Sequence, residues 1–502
     1  MIRSDWIFFW IFLVILMGII GFSEWLRKSQ KMPAEKSRKM VHVLVGLLVA
    51  LTPFIFRSMW PMIVLGSLFT ILDYVAIKYH LLKAMHHTKR QSLGTVFYPI
   101  SFVLLTVLLW HNHKPILVIS MLIMAVSDAM AAVVGQRSPH TLNLHDHLEK
   151  KSLRGSVTMW VVTFFIVISM LSLFTSFQWH VQLDVSHIIW IAVIVSFMAT
   201  ACEMVSIKGS DNLTVPLGSA LVMHYMLTNS VTDRAGFSVG MGLSLIAAFF
   251  SLRLRFLDKS GAIGAFILGT IVFGLGRWAF TLPMLTFFVL SSLLSKFGKK
   301  HKLAVNQIFA KSGVRDIFQV LANGGLGGLF ATMWYLYPTE LFYFLFIASL
   351  AAVTADTWAT EIGVLSKRSP RSILDFKRVP KGASGGITPI GTLGAILGSF
   401  VLVSSGYIVS PHNSPRLIGV NELFLLVFSG FAASLADSLL GATVQAQYQC
   451  PKCQKITEKE RHCDDKETVL VGGYRWINND MVNIIAAFSG VLIFLLLWFC
   501  CQ

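Results

Sequence analysis

An aspartate inside an apolar stretch is the first residue of this sequence that points to chemistry. Asp128 lies in the segment SDAMAAVVG, within an apolar run from Pro115 to Gly135. A charged side chain at membrane depth is costly, and such residues are functional-site candidates by default. The alternative is a buried structural ion pair with a cation of another helix. The loop after this run favours function, because its cations and its Gly-Ser pair at a helix start suit a phosphate. The candidates there are Lys150, Lys151, Arg154, Gly155 and Ser156.

Two further groups in the same half of the chain could join such a site. Glu203 lies near the end of an apolar run, and Asp211 and Asn212 open the next one. Helix capping is the alternative for Asn212. Arg38 and His42 are four residues apart, on one helical face. A juxtamembrane anchor is the alternative for that pair. Carboxylates from several loops around a basic pocket are typical of a Mg²⁺-nucleotide site.

A second array of acids followed by a basic, glycine-rich loop occurs later. Asp356 and Glu361 belong to TADTWATEIG, and the segment FKRVPKGASGGITPIG follows. Five residues correspond to about 140° around a helix. We therefore expect either that only one of the two acids faces the site or that the helix ends between them. The loop resembles a phosphate cradle without a Walker pattern, and a positive-inside loop with turn glycines is the alternative. The loop candidates are Lys377, Arg378, Lys381, Gly385, Gly386 and Thr388.

The second half supplies more polar residues within apolar surroundings. Asp437 lies in ADSLLGATVQ, and Arg315 and Asn323 flank the start of an apolar, glycine-rich segment. WINNDMVN adds amides and an acid before the last span, and one of these side chains is expected to cap a helix. We expect Mg²⁺ ligands among Asp128, Asp211, Asp356 and Asp437, and phosphate or nucleotide contacts from Asn479, Asp480 and Asn483.

The loop CPKCQKITEKERHC has the residue types of a zinc site. Cys450 and Cys453 form a CxxC pair, and His462 and Cys463 would complete a tetrahedral set. Such a zinc ion would be structural, because protein ligands fill all four positions. Reduced thiols without a metal are the alternative.

Composition predicts a membrane protein whose helices must position these residues. The chain has 502 residues, of which 55% are hydrophobic and 13% charged. Apolar runs long enough to cross a bilayer recur along its length, and we count about sixteen candidate spans. Five of these candidates lie near residues 93–111, 213–229, 260–275, 278–297 and 317–337.

The net charge of +17 follows the topology and needs no nucleic-acid partner. Alternate loops are rich in Lys and Arg, which places those loops in the cytoplasm and both termini outside. We expect an all-α polytopic protein with two membrane domains, 1–252 and 253–502, and a cytosolic Cys/His loop at 447–470. The expected location is a bacterial inner membrane, with the candidate sites facing the cytoplasm.

The first half resembles a known enzyme family. EKSRKMVH, SDAMAAVVG, KKSLRGS and DNLTVPLGSA occur in the order found in the membrane-embedded polyprenol kinases, which include dolichol kinase and phytol kinase. The resemblance covers residues 30–230, and the DNLTVPL form looks closest to the phytol-kinase branch. It implies phosphorylation of a long isoprenoid alcohol, usually with CTP and Mg²⁺. By that likeness the nucleotide and metal contacts are Asp128, Lys151, Gly155, Glu203, Asp211 and Asn212.

The second half resembles the phytyl-phosphate kinase family over residues 255–495. The motifs are RDIFQVLANG, ADTWATEIG, KRVPKGASGGITPIG, DSLLGATVQ and NNDMVN. This resemblance implies transfer of a second phosphate onto an isoprenyl monophosphate.

Together the two resemblances predict a fusion of two kinases that converts phytol, geranylgeraniol or farnesol to a monophosphate and then a diphosphate. The donor would be CTP or another nucleotide. A cytidylyltransferase that forms a CDP-lipid and a transporter of isoprenyl phosphates are the alternatives. A transporter needs polar groups distributed across the bilayer. Here they cluster near the basic loops, which favours an enzyme.

Overall fold

Helices make up most of the chain, as the all-α class requires. The structure is a computed structural model that describes residues 2–29, 34–79, 92–144, 149–297, 314–411, 419–463 and 466–501. In lipid, a helix satisfies its own backbone hydrogen bonds, which is why apolar runs of this length fold as helices.

The chain divides into two compact units, Met1–Arg234 and Ala235–Gln502. The division falls inside a helix, Val231–Arg253. The domain boundary predicted at 252/253 lies at the end of that same helix.

The helices of the first unit are mostly of spanning length. In the described residues they are α1 (Ile2–Lys28), α2 (Ala34–Ala50), α3 (Thr52–Ile55), α4 (Trp60–Lys78), α5 (Gly94–Leu109), α6 (Lys114–Leu122), α7 (Ala129–Gln136), α8 (Leu153–Ser176), α9 (Val185–Met204) and α10 (Asp211–Thr228). A π-helical turn, Ile123–Asp128, joins α6 to α7. Turns of this type occur frequently at functional sites. This one ends at the aspartate that the sequence singled out.

The second unit follows α11 (Val231–Arg253), which begins in the first. Its described helices are α12 (Lys259–Lys296), α13 (Ile317–Leu336), α14 (Glu340–Gly363), α15 (Pro389–Ile408), α16 (Val420–Thr443) and α17 (Asn479–Cys501). Two short strands, β1 (Arg371–Ser372) and β2 (Gly386–Ile387), pair antiparallel between α14 and α15. Five more strands lie between α16 and α17: β3 (Gln447–Gln449), β4 (Ile456–Thr457), β5 (Arg461–His462), β6 (Lys466–Glu467) and β7 (Val469–Gly472).

Helix α14 forms the centre of the second unit. Every residue from Tyr343 to Ala355 is buried, and α13, α15, α16 and α17 all pack against it. A helix that is apolar on all sides is either buried in a core or spans a membrane, and this one is covered by its neighbours along most of its length. The acids at its end therefore extend from a fixed support.

The expected number of about sixteen spans is not confirmed. Among the described helices, twelve are long and apolar enough to cross a membrane. Helix α5 has only 16 residues, and α10 and α13 carry several polar residues and glycines. The runs 260–275 and 278–297 are assigned to one helix, α12, whose backbone leaves the helical region at Arg277.

Candidate active sites

A lysine of the first unit, whose side chain is only 10% exposed, is surrounded by carboxyl groups. The Nζ atom of Lys151 lies 2.7 Å from Oε1 of Glu203, 3.6 Å from Oδ2 of Asp211 and 4.0 Å from Oε2 of Glu149. Asp128 is close enough for its charge to act on the same ammonium group. We call these five residues the Lys151 cluster. Four carboxyl groups face one ammonium group, so the cluster has an excess of negative charge that suits a divalent cation.

The charge of Lys151 is maintained by its neighbours. Burial by itself would lower the pKa of Lys151, but the carboxyl groups of Glu203, Asp211 and Asp128 raise that pKa above its ordinary value. The second oxygen of Glu203, Oε2, is buried and has no hydrogen-bond partner among the described residues. Buried polar atoms are normally paired, so this oxygen marks a position where a bound cation or ligand donor fits.

The loop before α8 is held in place by its own helix cap. Ser152 caps α8, since its Oγ accepts a hydrogen bond from the N–H of Gly155 at 3.1 Å. A Cβ atom on Gly155 would lie 3.1 Å from the carbonyl oxygen of Ala131. The structure therefore gives Gly155 a role in the close packing of α8 on α7. Ser156 lines a cavity of the first unit, which we call the first cavity. Its hydroxyl is buried without a partner in the described part of the chain.

Asn212 orients an acid of the cluster instead of capping α10. Its side-chain Nδ2 donates to Oδ1 of Asp211 at 3.1 Å and to the carbonyl oxygen of Gly209 at 3.1 Å. Its backbone N–H also donates to Asp211 Oδ1. Capping, the alternative reading of Asn212, is not what the contacts show.

Arg38 and His42 both reach the first cavity from α2. The Nε2 atom of His42 lies 3.1 Å from the carbonyl oxygen of Met124, in the π-helical turn. The guanidinium Nε of Arg38 is buried and unpartnered among the described residues. A cation in this state suits an anionic ligand.

One part of the first cavity is lined by the Lys151 cluster and Arg38, and another part is an apolar wall. The cavity has a volume of about 850 Å³. Glu149, Asp73 and Tyr98 also line it, and sequence reasoning missed all three. Asp73 lies within the apolar run of α4, so the pattern that singled out Asp128 could have found it. Glu149 and Tyr98 have no such signal. Lys150 lines the cavity, whereas Arg154 is exposed and lies outside it. The apolar lining includes Leu16, Ile20, Val41, Val45, Val49, Leu65, Phe69 and Phe102.

A second cavity, of about 750 Å³, lies within the second unit. Asp356, on α14, and Asp437, on α16, both line it, and their carboxyl groups are neighbours. The Oδ1 atom of Asp437 is buried with no partner among the described residues. Buried polar atoms are normally paired, so this oxygen suits a bound cation.

The expectation for Asp356 and Glu361 is wrong. Helix α14 continues through Glu361 to Gly363, yet both acids line the second cavity. Thr357 and Thr360 line it as well, so the cavity extends around the end of the helix. The Glu361 carboxylate accepts a hydrogen bond from Ser295 Oγ at 2.5 Å, and its charge acts on Arg315.

The glycine-rich segment forms one wall of the second cavity. Lys381, Gly385, Gly386 and Thr388 line it. Thr388 caps α15 by accepting from the N–H of Gly391 at 3.1 Å. The structure does not bring the other two basic candidates to the cavity: Lys377 and Arg378 are both exposed and lie outside its lining.

Gly385 is a position where only glycine fits. Its φ of +77° is left-handed, and a Cβ atom would lie 2.4 Å from Cβ of Ala442. We predict that Gly385→Ala displaces this wall, lowers the apparent melting temperature in detergent and reduces any activity of the second unit at least about tenfold. Gly242→Ala is the matched control, because nothing lies within 4 Å of the added atom. Equal melting curves for the two variants would contradict the prediction.

An amide cluster completes the second cavity. Nδ2 of Asn483 donates to Oδ1 of Asn323 at 3.2 Å. Asn479 and Asp480 line the same cavity. The expected cap is Asn478, whose Oδ1 accepts from the N–H of Met481 at 3.0 Å.

Glu458 also lines the second cavity, and sequence reasoning missed it. Its Oε1 accepts hydrogen bonds from Gln445 Nε2 at 2.8 Å and Ser384 Oγ at 3.1 Å. It belongs to the segment between α16 and α17, in which the sequence analysis predicted only the cysteine and histidine ligands of a zinc site. In that segment the ligand atoms of Cys450, Cys453, His462 and Cys463 all lie within 4.8 Å of one another.

The fold and these cavities define a class: a polytopic, all-helical integral membrane protein with buried acid-rich sites. Comparison with known proteins gives the family. The family described as "Integral membrane protein DUF92" matches residues 242–491. The chain belongs to this family.

Several curated proteins are similar to parts of the chain. Protein PGR of Arabidopsis thaliana is 32% identical over 49% of this chain and 90% of its own length. The phytol kinase of a Synechocystis strain is 31% identical over 41% of this chain and 86% of its own length. Protein VTE6, chloroplastic, of Arabidopsis thaliana is 27% identical over 48% of this chain and 65% of its own length. No solved structure matches.

Proposed function

We propose that the first unit phosphorylates a membrane isoprenoid alcohol. The observation that carries this proposal is the first cavity, in which a charged cluster and an apolar wall line the same space. The charged end suits a nucleotide's phosphates, and the apolar wall suits an isoprenoid chain. Similarity to a protein named phytol kinase and the polyprenol-kinase motifs support the same substrate class.

The reaction moves the terminal phosphoryl group of a nucleoside triphosphate to the alcohol oxygen. A P–O bond to the alcohol oxygen forms as the P–O bond to the nucleoside diphosphate breaks, the diphosphate leaves, and the proton of the alcohol is released to solvent. Phosphoryl transfer needs positioning and charge stabilisation more than covalent chemistry from the protein. Lys151 and Arg38 neutralise the transferred group in this proposal, and the apolar wall aligns the alcohol.

Mg²⁺ fits the first cavity. The excess of carboxyl groups and the unpartnered Oε2 of Glu203 provide the oxygen ligands that this ion prefers. The residues that would hold it are Asp128, Glu203 and Asp211. When bound, the ion supplies charge neutralisation on the donor phosphates. CTP is the donor expected from the family resemblance.

The second unit is proposed to add a second phosphate to the monophosphate. Its cavity combines the Asp356–Asp437 pair with the wall that contains Gly385 and with the side chains of Lys381 and Asn483. The unpartnered Oδ1 of Asp437 suits a Mg²⁺ ion in this cavity too. The monophosphate is amphiphilic and stays in the membrane between the two steps.

The membrane orientation remains a prediction from charge. The positive-inside rule places the loop with Lys150 and Lys151 on the cytoplasmic side of its membrane. The same rule applies separately to the loop from Lys377 to Lys381.

Labelled CTP separates the kinase proposal from a cytidylyltransferase. A kinase transfers the γ-phosphate, so a γ-labelled nucleotide should label the lipid and an α-labelled one should not. A cytidylyltransferase gives the opposite result with a lipid phosphate, because it retains the α-phosphate and releases pyrophosphate. Label in the lipid from α-labelled CTP alone would overturn the kinase proposal.

Filling the apolar wall should select against long alcohols. Leu65 lines the first cavity and is 3% exposed. We predict that Leu65→Trp lowers kcat/KM for a twenty-carbon alcohol at least about tenfold, because the larger side chain occupies the space of the chain. A ten-carbon alcohol should lose much less. The control is Leu68→Trp on the same helix, at a residue 37% exposed and outside the cavity. Equal losses of kcat/KM for both alcohols would mean that the isoprenoid chain does not bind against this wall.

A further inference from the structure

The segment between α16 and α17 contains a compact group of metal-ligand atoms. Nδ1 of His462 lies 3.2 Å from Sγ of Cys463 and 3.5 Å from Sγ of Cys453. Zinc bonds of about 2.3 Å to sulfur and 2.0–2.1 Å to nitrogen give an S···N separation of about 3.6 Å in a tetrahedron. The observed separations are close to that value. All four ligand atoms, including Sγ of Cys450, lie within 4.8 Å of one another.

The CxxC pair lies in a tight hairpin. Cys450 and Cys453 are at the tip of the β3–β4 hairpin, which is closed by a hydrogen bond from the N–H of Cys450 to the carbonyl oxygen of Lys455 at 3.0 Å. The hairpin therefore keeps the two sulfur atoms close to each other.

Two non-glycine residues of the site have left-handed backbones. The φ angle is 56° at Gln454, directly after the CxxC pair, and 41° at Cys463. Side chains rarely adopt these conformations unless their surroundings require them. A bound metal supplies such a requirement at both positions.

The segment has too small an apolar core to explain its fold. Its buried side chains include Tyr448, Cys450 and Thr457, while Ile456, Val469 and Leu470 are exposed. Small folded segments with little apolar core are usually stabilised by a metal or by disulfides. The cysteines here are free, and a bound metal would supply such a restraint.

We propose that Cys450, Cys453, His462 and Cys463 bind one structural Zn²⁺. This ion fixes the β3–β4 hairpin and the turn after it. Glu458, directly after β4, is thereby held on the wall of the second cavity, where it accepts hydrogen bonds from Ser384 and Gln445. The metal site itself is independent of the proposed kinase function, whereas an effect on the second phosphorylation rests on it.

Elemental analysis of the purified full chain in detergent tests the site directly. We expect one zinc per chain after a wash with a weak chelator, and none in Cys450→Ser. Cys500→Ser is the matched control, because Cys500 is exposed at the end of α17 and should not change the zinc content. His462→Cys should retain the metal, since four thiolates also form a closed zinc site. Wild-type protein without zinc, or zinc that persists in Cys450→Ser, would overturn the proposal.

Two further measurements do not depend on enzymatic activity. Protein refolded or exchanged with Co²⁺ should show the visible absorption of a tetrahedral thiolate site, and Cys450→Ser should not. Trypsin should cleave at Lys452, Lys455 or Arg461 much faster after zinc is removed with a strong chelator. A disulfide between Cys450 and Cys453, detected by mass before and after reduction, would contradict the metal site.

The proposed link between the zinc site and the second cavity is tested by a separate measurement. Glu458→Gln should slow conversion of the isoprenyl monophosphate at least about tenfold while zinc content stays at one per chain. Glu467→Gln, at an exposed residue of β6, is the control. Zinc present with no effect of Glu458→Gln would retain the metal site and remove its role at the cavity. Zinc present with no phosphorylation by wild type would reject the proposed function alone.

Discussion

Lys151→Ala should abolish phosphorylation of the alcohol. Lys151 is the ammonium group at the centre of the cluster, with Glu203 Oε1 at 2.7 Å and Asp211 Oδ2 at 3.6 Å. Its loss removes the cation that faces the transferred phosphate and leaves the buried carboxylates uncompensated. We expect kcat to fall about 100-fold or more, since deletion of one preorganised charge-stabilising donor has effects of this size. The measurement is the initial rate of monophosphate formation in detergent.

The matched control for Lys151→Ala is Arg154→Ala in the same loop. Arg154 is exposed and outside the cavity, so its removal should change the rate by less than about threefold. A melting curve for both proteins separates loss of catalysis from loss of fold. If Arg154→Ala lost as much activity as Lys151→Ala while both remained folded, the phosphate would bind at the membrane surface and not in the cavity.

The Asp437→Asn protein should form the isoprenyl monophosphate but not the diphosphate. Asp437 lines the second cavity together with Asp356, and its Oδ1 is a buried oxygen without a partner among the described residues. An amide cannot supply the second carboxylate charge that a Mg²⁺ ion requires at this position. We expect isoprenyl monophosphate to accumulate, with diphosphate formation reduced about 100-fold or more. Liquid chromatography of the lipid products measures both species.

Asp375→Asn is the control for this variant. Asp375 is exposed and ion-paired with Lys377 at 3.0 Å, away from the cavity. Both lipid products should form at the wild-type rate in that protein. Loss of the monophosphate as well in Asp437→Asn would mean that the two steps do not belong to separate units.

The helical class was predictable because apolar runs of spanning length have few alternatives in lipid. The number of spans was not. Helices α10 and α13 contain several polar residues and glycines and are not among the twelve described helices that are long and apolar enough to cross a membrane, and their packing is set by tertiary contacts. The change of direction at Arg277 is a backbone conformation with φ of 56°, which no apolar pattern encodes.

Acids within apolar runs were informative because burial of charge is costly. Asp128, Glu203 and Asp437 all line cavities for this reason. Basic residues were less informative, since topology alone places them in loops. Lys151 enters a cavity whereas Lys377 does not, and only the structure distinguishes them. Glu149 and Glu458 were missed because both lie in loops whose path through space has no local signature.

For the glycines, too, the sequence identified the positions but not the structural reason for each. Gly155 belongs to a Gly-Ser pair at a helix start in a basic loop, which suggested phosphate binding, but its close approach to Ala131 explains it by packing. Gly385 lies in a similar sequence context, and its left-handed φ shapes the cavity wall itself. Sequence context indicates that a glycine is required at a position. It does not indicate whether the requirement is close helix packing or a left-handed backbone.

One measurement tests the central claim most directly: wild-type protein, purified in detergent, is supplied with Mg²⁺, γ-labelled CTP and geranylgeraniol. We predict labelled monophosphate first and labelled diphosphate after it, with the diphosphate also formed when unlabelled monophosphate replaces the alcohol. No labelled lipid from either acceptor, with CTP, ATP, GTP and UTP each tried as γ-labelled donor, would contradict the assignment of kinase activity to both units.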